Sequence, residues 1–228
     1  MKAVTFDFYN TLVRHRAGSG RGKQYVEYIA AAGLACDPWQ HKVLYDVFEY
    51  YGQAYRTAFS TKAKDAFWAE FTRRLFERTN VRADGPLNHA AHAPAIRDIM
   101  GPACLAVYEE VPAVLRALKH AGMRLAVISD WQKGLPHFVE ELGLAGYFDA
   151  VVASAEVGYQ KPDPRLFEEA RARLRVPARE TLHVGDLPED IEGARAAGFS
   201  AVFLARQGQP PAIEAPVITD LRGLLPMI

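Results

Sequence analysis

Four short segments carry the residue types that could do chemistry. Asp7 sits in Phe6-Asp7-Phe8-Tyr9-Asn10-Thr11-Leu12, and Ser129 in Val127-Ile128-Ser129-Asp130. Lys161 opens Lys161-Pro162-Asp163-Pro164, while Asp186 and Asp190 stand four apart in Gly185-Asp186-Leu187-Pro188-Glu189-Asp190. If the fold gathers these side chains, the carboxylates repel one another and one takes up a proton unless a cation intervenes. A hard divalent ion such as Mg²⁺ suits oxygen donors and is usually held by one or two carboxylates plus substrate phosphate. Lys161 and the Ser129 hydroxyl would then serve an anionic group, and a carboxylate can act as a nucleophile. Metal-assisted phosphoryl transfer is the chemistry this set suggests.

Elements that could gather them are legible in the apolar pattern. Short apolar runs at Ala3–Phe8, Arg124–Ser129, Ala150–Ala153, Thr181–Val184 and Ala201–Leu204 read as strands. Amphipathic stretches at Pro112–Ala121, Pro164–Leu174 and Pro188–Ala197 read as helices between them, with Gly122 and Gly198 placed to end two of these. Strand-helix alternation predicts an α/β fold, a Rossmann-like parallel sheet with helices on both faces. In such a sheet the residues at the carboxyl ends of strands share one edge, where ligands bind.

Residues 24–80 have a different texture and hold about half of the chain's aromatic residues. Trp39, Val43, Val47, Tyr51, Tyr55 and Phe59 recur every fourth residue, Asp37-Pro38 reads as a helix start, and Phe67, Phe71 and Leu75 mark a second helix. Another helix is expected from about Pro94 to Ile99. The expected division is an α/β core of residues 1–15 and 95–228, interrupted by a helical domain of residues 16–94.

Composition narrows the classes. The 228 residues are 50% apolar, and 27 basic residues balance 27 acidic ones. Zero net charge argues against nucleic-acid or membrane-surface binding through a general basic field. Two cysteines, Cys36 and Cys104, suggest no disulfide framework, and the start lacks the apolar run of a signal peptide. A cytoplasmic protein with a small-molecule substrate is the resulting expectation.

On those four segments the sequence is similar to the haloacid dehalogenase-like hydrolase superfamily. The resemblance spans the α/β part, and the helical segment falls where one subgroup of the family inserts a cap. It implies that Asp7 is the nucleophile and a metal ligand, with the Tyr9 carbonyl and Asp186 completing the protein's share of Mg²⁺ ligation. It implies that Ser129 holds the transferred group, Lys161 neutralises charge, and Asp190 supports the metal shell through water or hydrogen bonds. The expected function is a Mg²⁺-dependent phosphohydrolase acting on a small phosphorylated metabolite through an aspartyl-phosphate.

One position departs from the phosphatase pattern. The family's phosphatases carry a second Asp two residues after the nucleophile, as general acid and base; here Tyr9 stands there. A phenol titrates near 10 and a free carboxyl near 3.9, and general acid–base catalysis contributes roughly 10²–10⁴-fold. Tyrosine at this position resembles the family's metal-independent 2-haloacid dehalogenases. Their fourth motif offers Ser and Asn, however, where this chain has Gly185-Asp186, and their cap Arg after Trp is Gln40 after Trp39. The alternatives are a dehalogenase, or a degenerate member that binds a phosphorylated ligand without turnover.

Other polar residues have plainer readings. His15 reads as solvated or capping, with a proton-donating role as the sharper option. Gly18-Ser19-Gly20-Arg21-Gly22 reads as a hinge, Arg21 and Lys23 as solvated charges that could instead meet a substrate anion, and His89 with His92 as a surface pair.

Overall fold

The computed structural model describes residues 1–16, 20–40, 42–43, 47–48, 50–51, 61–206 and 212–228. The chain forms two compact units: residues 1–14, 107–131 and 139–228 make one, and residues 15–106 with 132–138 make the other. The expected boundary at residue 94 therefore moves. Helix His89–Met100 and the residues to 106 group with the helical unit, as do residues 132–138 from far along the chain.

Eight strands are described: β1 (Ala3–Phe6), β2 (Val13–His15), β3 (Leu105–Val107), β4 (Arg124–Ser129), β5 (Ala150–Ala153), β6 (Thr181–Gly185), β7 (Ser200–Leu204) and β8 (Val217–Ile218). Six of them form a parallel sheet in the order β5-β4-β1-β6-β7-β8, and β2 with β3 forms a separate two-stranded sheet. Every residue of β1 is buried, as are five of the six residues of β4, so both faces of the sheet are covered. Leu166, Phe167 and Ala170 of helix Pro164–Leu174 pack with Ile191 and Ala194 of helix Pro188–Ala196 against Ile128, Val152 and Phe203. Each fully buried Leu, Ile or Phe contributes about 1.5–3 kcal/mol. Helix Val111–His120 ends before Gly122 and helix Pro188–Ala196 before Gly198, both at positive φ (76° and 80°).

Among its described residues the second unit contains helices Arg21–Ala31, Thr61–Arg78 and His89–Met100. Its core is aromatic: Phe48, Trp68 and Phe138 surround Phe71 and Tyr51, with Trp68–Phe71 and Phe48–Phe71 ring centroids 5.1 and 5.3 Å apart in edge-to-face contact. Gly22 leaves room for Trp39, whose Nε1 would lie 2.3 Å from a Cβ at that position.

Two expectations for this unit change. Residues 37–40 are not helical; Asp37 accepts instead from Arg82 Nη1 at 2.9 Å, a side-chain partner 45 residues away. The helix expected at Pro94 begins five residues earlier, because the Asn88 side chain caps Ala91 N at 3.3 Å and the helix carries Pro94 within it. Of the stripe from Trp39 to Phe59, Tyr55 and Phe59 lie outside the described residues, as do Gly18 and Ser19 of the expected hinge.

Candidate active site

Register brings the four segments together. Phe6 pairs with Val127 of β4 and with Val184 of β6, so Asp7, Ser129 and Asp186 leave three adjacent strands at the same edge. This is also where strand order reverses: β4 and β5 lie on one side of β1, β6 and β7 on the other. Asp7, Tyr9, Asn10, Ser129, Asp130, Trp131, Lys161, Asp186, Leu187 and Glu189 line an open cavity of about 360 Å³ there. All six residues expected to act are thus placed within one unit, five of them on this cavity and Asp190 directly behind Lys161.

Lys161 is the hub. Its Nζ lies 2.5 Å from Asp7 Oδ1 and 2.6 Å from Asp190 Oδ1, and its side chain is 4% exposed. Asp130 fixes the backbone behind it, accepting from Lys161 N at 3.1 Å. The Ser129 hydroxyl donates to the same Asp7 Oδ1 at 3.2 Å. Burial works against the Lys161 ammonium, but Asp7 and Asp190 outweigh it and hold its pKa above the ordinary value.

Asp190 begins a buried relay. It sits in the first turn of helix Pro188–Ala196, where Oδ2 accepts from Leu187 N at 3.0 Å. Its Oδ1 also faces His183 Nε2 at 3.3 Å, and His183 Nδ1 lies 2.9 Å from Thr5 Oγ1. Burial lowers the His183 pKa, leaving a neutral ring with one proton. A carboxylate can only accept, so that proton sits on Nε2 and the Thr5 hydroxyl donates to Nδ1. Burial opposes ionisation of Asp190, yet Lys161 and His183 hold its pKa well below the usual carboxylate range. Gly185 makes room for the group, since a Cβ there would lie 2.2 Å from Asp190 Cγ.

The other two carboxylates are raised. Burial, opposed by Lys161 and reinforced by Asp190 and Asp186, pushes Asp7 up to about 7. Burial and the neighbouring Asp190 push Asp186 up to about 6. One lysine thus serves a cluster of three carboxylates, two of them buried, and the donor set is one of oxygens lacking positive charge. Among the described residues no three His, Cys, Asp or Glu side chains enclose a metal by themselves. Mg²⁺ does not require that, because it keeps several waters and binds one or two carboxylates. Asp7 and Asp186 fit such an ion. Asp190, occupied by Lys161, Leu187 N–H and His183, fits a supporting place behind them.

Sequence reasoning missed the supporting groups. Thr11 Oγ1 donates to Asp186 Oδ1 at 3.4 Å, and the Asn10 side chain hydrogen-bonds the same carboxylate. Thr5 and His183 are polar residues within largely apolar strands, which was the available signal, but nothing in the spacing named their partners. Residues with sharper options elsewhere have other roles. Burial and Arg21 lower His15 to about 4, so it carries no ionisable proton to give at neutral pH. Arg21 is 6% exposed and lies over the Phe48 and Phe138 rings of the helical unit, with Cζ 5.5 and 5.0 Å from their centroids. Lys23 pairs with Glu27 at 3.8 Å, and His92 Nδ1 lies 2.7 Å from the Tyr28 hydroxyl. Cys36 and Cys104 are free thiols.

Comparison with known proteins adds an independent line. The family profile described as haloacid dehalogenase-like hydrolase matches residues 1–198. The bovine (Bos taurus) haloacid dehalogenase-like hydrolase domain-containing protein 3 is 28% identical, covering 100% of this chain and 94% of its own. A phosphoserine phosphatase of Thermus thermophilus is 33% identical over 81% of this chain and 74% of its own. Among solved structures, a HAD phosphatase from Thermococcus onnurineus aligns with TM-score 0.64 and 21% identity, covering 100% of this chain and 97% of that one. A 2-haloacid dehalogenase from Pseudomonas syringae aligns with TM-score 0.62 and 24% identity over the same shares. At those identities the two structures establish the fold alone.

Proposed function

The chain belongs to the haloacid dehalogenase-like hydrolases, and from that premise we propose that it is a Mg²⁺-dependent phosphohydrolase of small phosphorylated metabolites, working through an aspartyl-phosphate on Asp7. The observation that carries this reading is the juxtaposition of Asp7 with Ser129, Lys161 and Asp186 at one sheet edge. The names of two relatives, a phosphoserine phosphatase and a phosphoglycolate phosphatase, agree with it.

Both contacts on Asp7 fall on Oδ1, which leaves Oδ2 as the oxygen to attack phosphorus. Lys161 and Ser129 stand where they would gather the oxygens of the transferred group and offset its charge. Asp7, the Tyr9 carbonyl and Asp186 would hold Mg²⁺, with Asp190 supporting them from behind. The ion, when bound, supplies positive charge to the phosphoryl oxygens and keeps Asp7 ionised.

Tyr9 lines the cavity where the family's phosphatases carry a carboxyl. Protonation of the leaving group is then weak, so the reading favours aryl and acyl phosphates, whose leaving groups need no proton. A phosphate-release screen with and without Mg²⁺ tests it. Mg²⁺ should stimulate turnover of aryl or acyl phosphates, Asp7→Asn should abolish it, and Tyr9→Asp should raise activity on alkyl phosphates. Turnover that is indifferent to metal would sink the proposal.

Tyr9, at the position where the family's phosphatases carry a carboxyl, favours a second reading, displacement of halide from a 2-haloacid by Asp7. Chloride release from 2-chloropropionate without metal would support it, and none at high enzyme concentration would exclude it. Ligand binding with no turnover across both screens would instead support a binding role.

A further inference from the structure

Arg206 lies twenty residues beyond Asp186, after β7, and belongs to none of the four motifs. Its guanidinium is nevertheless built into the same edge. Nη2 donates to the Thr11 carbonyl at 2.6 Å and lies 2.6 Å from Glu110 Oε1, while Cζ stands 3.6 Å from the Tyr108 ring centroid. The two charged side chains are 9% and 6% exposed. Thr11 is fully buried and follows Asn10, which holds a left-handed φ of 59°. Tyr108 N donates to the next carbonyl, that of Leu12, at 3.1 Å. The turn after Asp7 is therefore tied down at two successive carbonyls, one of them by Arg206. From this turn come two donors to Asp186, the Thr11 hydroxyl and the Asn10 side chain.

We infer that Arg206 is a positioning residue for the divalent-cation site, clamping the Thr11 carbonyl so that the Asn10–Thr11 turn holds the Asp186 carboxylate in its binding orientation. This rests on the reading of Asp186 as a Mg²⁺ ligand. Groups that orient a metal ligand through hydrogen bonds typically change metal affinity by about 10–100-fold when removed. The clamp depends on one nitrogen, Nη2, which meets both the carbonyl and the carboxylate because the planar guanidinium is fixed on the Tyr108 ring face. A lysine retains the charge opposite Glu110 but not that geometry.

The test is Mg²⁺ and Mn²⁺ binding to the full chain by titration calorimetry, with urea midpoints measured in parallel. Arg206→Lys should weaken binding about ten-fold while leaving the urea midpoint close to wild type. Arg206→Gln combined with Glu110→Gln, which strands no buried charge, should weaken it at least as much. Thr11→Val should weaken binding similarly, and adding it to Arg206→Lys should cost much less than the product of the two effects, because both act through one turn. Unchanged affinity in Arg206→Lys and in the double variant overturns the inference alone, as do fully multiplicative losses. A wild-type chain that binds neither ion overturns the metal reading and the inference with it.

Discussion

Lys161 is a single ammonium that bridges two buried carboxylates, and its loss affects more than one bond. Lys161→Met leaves Asp7 and Asp190 buried beside each other without their cation. Breaking a buried ion pair from one side costs about 3–5 kcal/mol, so urea unfolding should show a loss of that size along with lost activity. His183→Leu removes a donor to Asp190 and leaves the Thr5 hydroxyl only the Leu182 carbonyl at 3.4 Å, with an expected cost of about 1–3 kcal/mol. These two residues also mark what a sequence discloses about a site. Asp7, Ser129 and Asp186 were legible because each follows an apolar run, and Lys161 because Lys161-Pro162-Asp163-Pro164 leads into a helix; the edge rule for parallel sheets does the rest. His183 and Arg206 were not, since a polar residue at a buried position reveals a need for partners without naming them. Those partners, at separations of 178 and 195 residues, are supplied only by the fold.

At the level of elements, the unit β6–turn–helix Pro188–Ala196 is the most constrained. Gly185 ends the strand against the carboxylate that opens the helix. Gly185→Ala should displace Asp190, cost about 1–3 kcal/mol by overpacking, and reduce turnover. Gly198→Ala is the contrasting case: its Cβ would stand 3.4 Å from Ala178, but φ is +80°. The strain alone costs about 1–2 kcal/mol, with turnover unchanged; a melt and an assay of each variant separate the two. Long apolar runs and Pro-led helices were readable to within a residue or two in the α/β part, because burial on both faces leaves few alternatives. The two- and three-residue strands Val13–His15, Leu105–Val107 and Val217–Ile218 were not, because nothing so short carries a period. Asp37-Pro38 had the composition of a helix start, but a tertiary ion pair with Arg82 claims the carboxylate.

For the molecule as a whole, zero net charge means that any attraction for an anion must arise locally, at Lys161 and the cation proposed beside it. Stability, by contrast, has a distributed pH dependence to which the helical unit adds. Burial and Arg21 hold His15 down to about 4, against 6.5 when unfolded. The unfolded chain therefore binds the extra proton first, and stability falls as pH drops from about 6.5 through 4. His15→Gln should flatten that part of a stability–pH curve measured by urea titration. The position of β1 has a further consequence during synthesis. The first strand made becomes the middle of the sheet, and its partner β6 begins at residue 181. At about 5–20 residues per second, β1 waits on the order of 10–35 s on the ribosome before both its edges can be paired. For that interval an uncharged strand, apolar but for Thr5, has an unpaired edge open to wrong partners.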